Sequence, residues 1–165
     1  MAVREIRLFG DPVLKSVSAK IDVFDEATRS LIDDLVDTTK LPGRAGVAAP
    51  QIGVNLRAFS YNVDGQIGYL INPRIIELGG ELVPTGEGCL SVPGLWHDTP
   101  RRTFARAEGF DVDGNRVELS GNGLMAQMLQ HECDHLDGYL YLDRLEPAER
   151  KIAMRELRES DWFMK

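Results

Sequence analysis

The first apolar pattern along the chain is that of an amphipathic helix at residues 28–39. Leu31, Ile32, Leu35 and Val36 recur at the three- and four-residue spacing that puts side chains on one helical face, with acidic residues on the other. A Pro-Gly pair follows shortly afterwards and interrupts the pattern. We therefore expect a helix near the amino-terminal end of the chain.

The middle of the chain has the short apolar runs of β-strands. Residues 57–63 and 67–71 are separated by Asp64-Gly65, a sequence favoured in tight hairpin turns. Weaker strand candidates are residues 75–78, 81–84, 102–107 and 117–119, with a second tight turn at Asp113-Gly114.

Two further helices are predicted in the last third of the chain. Residues 123–136 carry an apolar stripe that should be buried, and Gly138 suits the left-handed conformation that often ends a helix. A last helix is expected at residues 147–158, with Pro147 in its first turn. Its mixture of positive and negative side chains predicts a solvated helix with ion pairs between residues four apart. In the helix predicted at residues 123–136, the apolar stripe consists of Leu124, Met128, Leu129 and Leu136.

This order of elements, a helix, several strands and two helices, predicts an α+β fold. We expect mixed or antiparallel β-sheets around the helix at residues 123–136, with one helix before the sheets and another after them. The 165 residues contain no internal repeat, low-complexity tract or linker. A single domain spanning residues 1–165 is therefore expected.

Charge and hydropathy narrow the range of functions. The formal net charge of -7 argues against a nucleic-acid binder, which needs a basic surface. No apolar run approaches the roughly 20 residues of a membrane-spanning helix, and the charged first residues lack the apolar core of a signal peptide. We expect a cytoplasmic protein, in which Cys89 and Cys133 do not form a disulfide.

The strongest chemical signal is the sequence QHECDH at residues 130–135. His131 and His135 are four residues apart on the predicted helix, so they project from one face and can bind one metal ion. Glu132 lies beside them and can take a proton from water and pass it to a leaving group. This HExxH pattern indicates a metal hydrolase, although by chance two histidines can also be ordinary polar residues on a helix.

The HExxH pattern does not identify the third ligand. Zinc peptidases supply a Glu or His downstream, but Glu146 and Glu149 lie in a polar helix start and no histidine follows His135. Cys89, in the sequence EGCLSVPG, is the better candidate because a thiolate suits Fe(II), Zn and related ions. Taken alone, Cys89 would be interpreted as a small buried apolar residue.

A third segment, GVAAPQIG at residues 46–53, contains small residues that permit close approach of another group to the backbone. Gln51 offers an amide N–H that can donate to a developing oxyanion. The alternative is a packed turn between helix and strand, with the Gln51 side chain in solvent.

Together the three segments resemble the peptide deformylase family. That family is recognised by a Gly-hydrophobic-Ala-Ala-x-Gln segment, then Glu-Gly-Cys-Leu-Ser, then Gln-His-Glu-x-Asp-His-Leu. The segments stand here as GVAAPQ, EGCLS and QHECDHL, in the same order. The resemblance implies a hydrolase that removes the formyl group from the N-terminal methionine of nascent peptides and releases formate.

The resemblance also implies a metal site. Cys89, His131 and His135 would bind one divalent metal ion. In the family this ion is physiologically Fe(II), and Zn, Ni or Co often replaces it in preparations.

The catalytic groups follow from the same resemblance. Glu132 would be the general base and acid, while the Gln51 side chain and the Leu90 backbone N–H would stabilise the oxyanion. The backbone of Ala45 and Gly46 would bind the substrate peptide, partly as an added strand.

The surroundings of the site are expected as follows. Leu124 and Met128 lie within two helical turns before the histidine pair and are candidate walls of a methionine pocket, with plain core packing as the alternative. By the resemblance, Glu87 and Arg101 would form an ion pair behind the site.

The chain departs from the family pattern at three places. Arg44 stands where many members have glycine, and Trp96 and His97 follow the cysteine segment where sequences vary. These residues affect the expected peptide preference rather than the metal site. Cys133 occupies the variable position of the helix motif, and we expect its side chain to point away from the metal.

The expected partners are formylated nascent peptides, with a transient ribosome contact through the last helix, and the default oligomeric state is a monomer. Two other functions remain open. A metallopeptidase that cleaves internal peptide bonds would use a downstream ligand and would not need Cys89. A non-catalytic metal- or peptide-binding relative would not need Glu132 as a base.

Overall fold

A computed structural model describes residues 2–163, so both ends of the predicted domain at residues 1–165 lie outside the described residues. It contains one antiparallel five-stranded sheet, in strand order β1-β2-β3-β4-β5, and three α-helices. The predicted α+β class, with one helix before the strands and two helices after them, is confirmed. The elements are α1 (Glu26–Thr39), β1 (Gly46–Ala48), β2 (Ala58–Val63), β3 (Gln66–Cys89), β4 (Val92–Phe110), β5 (Arg116–Asn122), α2 (Gly123–Leu136) and α3 (Pro147–Glu159).

Helix α1 forms where the sequence predicts it. The Asp25 side chain caps its first turn by accepting a hydrogen bond of 3.1 Å from the Thr28 backbone N–H. Leu31, Ile32 and Leu35 are buried in an apolar cluster shared with the first two strands. The acidic residues of the helix are left on the outer face.

Strands β3 and β4 differ most from the sequence prediction. The runs at residues 67–71, 75–78 and 81–84 are not separate strands but parts of β3, which continues to Cys89. Shifts in register, between Ile71 and Arg74 and again between Gly79 and Leu82, bend the strand without ending it. β3 and β4 pair along most of their length, and both strands contact α2.

Helix α2 has the predicted bounds and packs against strands β4 and β5. Met128, Leu129 and Leu136 are buried, but Leu124 is 41% exposed. The prediction that the whole stripe is buried was therefore wrong at Leu124, because the first turn of the helix extends beyond the core. Gly138 has the expected positive φ of 84° just after the helix.

Helix α3 also forms as predicted, with Pro147 in its first turn. The prediction of a solvated helix was wrong for its inner face, because Ala153 and Leu157 are completely buried. They pack in an apolar cluster that includes Leu95 of β4 and Leu140. Only the outer face of the helix is solvated. None of the helices between residues 2 and 163 is long and apolar enough to cross a membrane.

The buried face of α3 gives a stability prediction. Leu157→Ala should lower the free energy of unfolding by about 2–5 kcal/mol, since it leaves a cavity among packed side chains. Ile152→Ala, on the same helix but with Ile152 46% exposed, should change it by less than about 0.5 kcal/mol. Urea unfolding of both variants measures the difference. Equal losses would show that α3 is not anchored through its inner face.

Candidate active site

The end of β3 and one face of α2 bring three donor atoms together. Cys89 is the last residue of β3, and its Sγ lies 3.5 Å from His135 Nε2. That nitrogen lies 3.1 Å from Nε2 of His131, one helical turn away. All three donor atoms lie within 4.8 Å of one another, and Cys89, His131 and His135 are buried or half-buried.

The donor set fits one divalent metal ion. Ligands of a tetrahedral zinc-type ion lie about 2.0–2.3 Å from the metal, and therefore about 3.3–3.6 Å from one another. The His131–His135 separation of 3.1 Å and the Cys89–His135 separation of 3.5 Å are close to that range. One thiolate with two imidazoles suits Fe(II) and Zn chemically. Burial, and after it the positive charge of the neighbouring His131, lowers the pKa of His135 well below its usual value. The low pKa favours the neutral imidazole ring that metal binding requires.

A buried carboxylate orients the first histidine. Glu87 Oε2 lies 2.7 Å from His131 Nδ1, so Nε2 of the same ring is directed towards Cys89 and His135. Arg101 donates two hydrogen bonds to the same carboxylate, at 2.9 and 2.6 Å. Burial alone would raise the pKa of Glu87, but the bonds from Arg101 and His131 lower it to about 2. The expected Glu87–Arg101 ion pair is present, and both residues are buried.

Glu132 has a different environment although it is next to His131. Its Oε2 lies 3.9 Å from His131 Nε2, and its Oε1 is buried without a hydrogen-bond partner among the described residues. Burial raises the pKa of Glu132 to about 7. A carboxyl group with this pKa can both accept and donate a proton near neutral pH.

Gly46, the first residue of β1, packs directly on Glu132. A Cβ atom at Gly46 would lie 2.8 Å from Glu132 Oε2, too close for any side chain without movement. The strand therefore approaches the carboxylate as closely as backbone allows. The sequence analysis predicted no strand at β1 and gave a packed turn as one of two interpretations of this segment. Three residues are too few to show a strand period.

Gln51 is buried beside the cluster and is not solvated as the alternative interpretation had it. Its carbonyl Oε1 accepts a hydrogen bond of 3.0 Å from the Ala48 backbone N–H. Its Nε2 lies 3.2 Å from Ser91 Oγ and 3.7 Å from Cys89 Sγ. The fixed carbonyl thus directs the N–H donors of the amide towards the cysteine.

A cavity of about 490 Å³ opens beside these groups. One side of the cavity is formed by β1 and the residues just before it, and the other side by the turn between β3 and β4. The residues predicted from the resemblance as oxyanion donors or substrate contacts all line it: Gln51, Leu90, Ala45, Gly46, Leu124 and Met128. Arg44 and Trp96, two of the three departures from the family pattern, line it as well.

The roles of two glutamines near the site were not predicted. Gln127 precedes His131 by one helical turn, and its Nε2 donates to the Gly86 carbonyl at 2.9 Å and to Glu87 Oε1 at 3.2 Å. Gln130 bonds both the N–H and the carbonyl of Arg102, each at 3.0 Å, and so fixes α2 to β4. The four-residue spacing from His131 would have indicated Gln127, whereas nothing in the sequence pairs Gln130 with β4.

Other candidate residues lie elsewhere. Cys133 is buried in the core cluster on the side of α2 away from the donor atoms, as expected. Glu149, considered as a downstream ligand, instead contacts His97 Nδ1 at 2.6 Å, and Glu156 lies 2.7 Å from His97 Nε2. These contacts join α3 to β4.

Fold and site together define an α+β protein that can hold one metal ion between a cysteine and two helix-borne histidines, beside a buried glutamate. The family model described as polypeptide deformylase matches residues 3–151. The chain belongs to the polypeptide deformylase family.

Relatives and solved structures agree with this assignment. A peptide deformylase of Acidothermus cellulolyticus is 51% identical over 162 residues, which cover 98% of this chain and 89% of the relative. Peptide deformylase 1 of Corynebacterium glutamicum is 48% identical over the full length of both chains. The crystal structure of a peptide deformylase from Legionella pneumophila superposes with a TM-score of 0.88 at 36% identity, covering 96% of this chain and 95% of the other.

The buried ion pair behind the site gives a second stability prediction. Arg101→Met should lower the free energy of unfolding by about 3–5 kcal/mol, because it leaves the Glu87 charge buried without its main partner. Arg106→Met is the matched control. Arg106 pairs with Glu77 at 2.9 Å, but both side chains are largely exposed, so the loss should stay below about 1 kcal/mol.

Urea unfolding of metal-free protein measures both losses without a contribution from metal binding. A similar small loss in the two variants would contradict a structural role for the buried pair.

Proposed function

We propose that this chain hydrolyses the formyl group from the N-terminal methionine of nascent peptides and releases formate. The observation that carries the proposal is the cluster of Cys89 Sγ, His131 Nε2 and His135 Nε2 beside the buried Glu132. Family membership supports the same reaction, because it is the reaction for which the family is named.

Cys89, His131 and His135 would hold one divalent ion, which we propose to be Fe(II) in the cell, with Zn, Ni or Co as replacements in preparations. When bound, such an ion acts as a Lewis acid and makes a bound water more acidic. The thiolate in the donor set supports Fe(II) or Zn over Mg or Ca. Metal analysis of protein purified without oxygen tests the identity; absence of iron from active protein would contradict it.

The residues of the chain would carry the proton and stabilise charge. Glu132 takes a proton from the attacking water and later gives it to the leaving amine, a role that its pKa of about 7 supports. The Gln51 amide and the Leu90 backbone N–H donate to the oxyanion that forms at the formyl carbon. Because the Gln51 carbonyl is bonded to Ala48, the amide is held in place before substrate binds.

The cavity would accept the peptide in an extended conformation. The backbone of Ala45 and Gly46 would pair with the substrate as an added strand. Leu124 and Met128 lie on the same helix as the two histidines, line the cavity and would contact the methionine side chain. The 41% exposure of Leu124 supports a binding role over core packing at that residue, while Met128 is almost fully buried and contributes its surface only at the cavity wall.

Other functions find less support. A peptidase of the HExxH type would use a downstream ligand, yet Glu149 is engaged with His97. A non-catalytic binder would have no need for a buried glutamate beside the histidines. We propose further that the protein is a cytoplasmic monomer and that residues 1–165 act as one domain.

Removing one ligand or the base should separate metal binding from catalysis. Cys89→Ala should lose both bound metal and formate release from a formyl-Met-Ala-Ser peptide, because one of three protein ligands is gone. Glu132→Gln should keep its metal but lose activity by about 10²–10⁴-fold, the usual contribution of a general base. Protein is purified without oxygen and loaded with Fe(II), and metal content and formate are measured on the same samples.

Cys133→Ala is the matched control, since it removes the other cysteine from the opposite side of the helix and should retain both metal and activity. Full activity in Glu132→Gln would contradict the assigned base. Full metal content in Cys89→Ala would contradict the assigned third ligand. No formate from fully metallated parent protein would contradict the proposed reaction itself.

A ribosome contact through α3 is a separate proposal, motivated by the substrate being a nascent chain. The exposed face of α3 carries Lys151 and Arg155, which can contact ribosomal RNA phosphates. Reversing both charges, Lys151→Glu with Arg155→Glu, should reduce co-sedimentation with ribosomes at low salt while leaving peptide hydrolysis unchanged. Unchanged co-sedimentation would contradict the contact.

A further inference from the structure

The connection between β3 and β4, beside the metal-binding cluster, is irregular. Glu87 pairs with His97 and Cys89 pairs with Val92, so residues 93–96 of β4 lie opposite a single residue of β3. These four residues form a bulge and have no partners in the β3–β4 ladder. Backbone N–H and C=O groups that leave water without a partner are costly, so the groups of the bulge need partners from elsewhere in the chain.

The wall segment, defined as residues 90–96, comprises this bulge and the turn before it. Four of its residues line the cavity: Leu90, Pro93, Gly94 and Trp96. Leu90 directly follows Cys89, and its backbone N–H is the oxyanion donor of the proposed function. The conformation of the wall segment therefore determines where that N–H points.

A tryptophan just beyond α3 holds the bulge from behind. The indole Nε1–H of Trp162 donates a hydrogen bond of 2.8 Å to the backbone carbonyl of Pro93. A half-buried indole N–H usually finds such a partner, and the carbonyl gains the bond that the β3–β4 ladder does not supply. The bond therefore ties the residues that follow α3 to the wall of the cavity.

Phe163, the next residue, supports the turn of the wall segment through the amino-terminal part of the chain. The Phe9 backbone N–H donates a hydrogen bond of 2.8 Å to the Ser91 carbonyl. The Phe9 ring packs on the Phe163 ring at a centroid distance of 5.9 Å, within the range of favourable aromatic pairs. Trp162 and Phe163 also pack on each other, with ring centroids 6.0 Å apart. The two residues thus support both the turn and the bulge.

We propose that Trp162 and Phe163 are positioning residues, which hold the wall segment so that the Leu90 N–H points at the site of the oxyanion before substrate binds. The inference rests on the proposed function. Neither residue lines the cavity, so both act through the wall segment and not on the peptide itself. The match to the family model ends at residue 151, so family membership assigns these two residues no role.

Such support matters because an oxyanion donor works only when it is already oriented. An N–H that faces the developing charge stabilises the transition state without reorganisation, and deleting one such donor costs about 10²–10³-fold in kcat. A donor displaced by a distant mutation loses part of this effect. Since the charge develops only in the transition state, the loss should appear in kcat and not in KM.

Trp162→Phe keeps an aromatic ring but removes the N–H donor. In Fe(II)-loaded protein, kcat for formyl-Met-Ala-Ser should fall by about tenfold, while KM should change by less than about twofold and metal content should stay at the parent value. In metal-free protein, amide hydrogen exchange of residues 88–96 should become faster and that of α2 should not change, because only the wall segment loses its support.

Two further variants accompany it. Phe163→Leu keeps the Trp162 N–H but removes the ring on which Phe9 packs, so it should also speed exchange of the wall segment and lower kcat. Asp161→Ala is the matched control, because Asp161 is exposed and adjacent to Trp162. It should leave kcat, metal content and exchange at parent values. Urea unfolding establishes that each variant is folded under the conditions of the assay.

The outcomes separate this inference from the function on which it rests. An unchanged kcat in Trp162→Phe would overturn the inference, and so would an effect confined to KM. Loss of metal together with activity would overturn it as well, since the effect would then act through Cys89 and not through Leu90. Failure of the metallated parent protein to release formate would instead overturn the proposed function, while exchange in the metal-free protein would still decide whether Trp162 holds the wall segment.

Discussion

The arrangement of the site depends on one buried carboxylate, that of Glu87. It lies at the meeting point of β3, β4 and α2, where it bonds the imidazole of His131 and the guanidinium of Arg101. A charge this deeply buried is tolerated only when its lone pairs are satisfied. Any movement of the helix relative to the two strands would break one of those bonds. The need to satisfy the Glu87 carboxylate thus fixes the His131 ring relative to Cys89, which is the last residue of the strand that contains Glu87.

The network extends outward from this carboxylate. Arg101 also donates to Asp134 on α2, and Asp134 accepts two more bonds from Arg144, beyond the helix. Gln127 adds an amide donor to Glu87. In contrast, Glu132 is equally buried, but no arginine or lysine between residues 2 and 163 forms an ion pair with it, and His131 Nε2 is 3.9 Å away. The pKa of Glu132 is raised, whereas that of Glu87 is lowered. Two carboxylates close to the same histidine therefore differ in protonation because their neighbours differ.

The sequence predicted the helices well and the long strands poorly. Helical spacing and capping residues are local, so α1, α2 and α3 follow from the residues within each segment. β3 is interrupted by bulges at a proline and at a glycine pair, and whether such an interruption ends or only bends a strand depends on pairing with β4. The candidate ligands followed from the HExxH spacing and the resemblance. The contacts of Gln130 with Arg102 and of His97 with α3 join residues distant in sequence, and no local pattern encodes them.

The contact between Gly46 and Glu132 limits how this site can diversify. Gly46 lines the cavity and also contacts the Glu132 carboxylate, so a substitution that narrows the cavity at Gly46 also displaces that carboxylate. Changes in substrate preference have to arise at positions that border the cavity without touching Glu132. Arg44 and Trp96 occupy such positions, and they are two of the three residues at which this chain departs from the family pattern. Laboratory evolution towards new peptides should therefore accumulate substitutions around the rim and leave the glycine untouched.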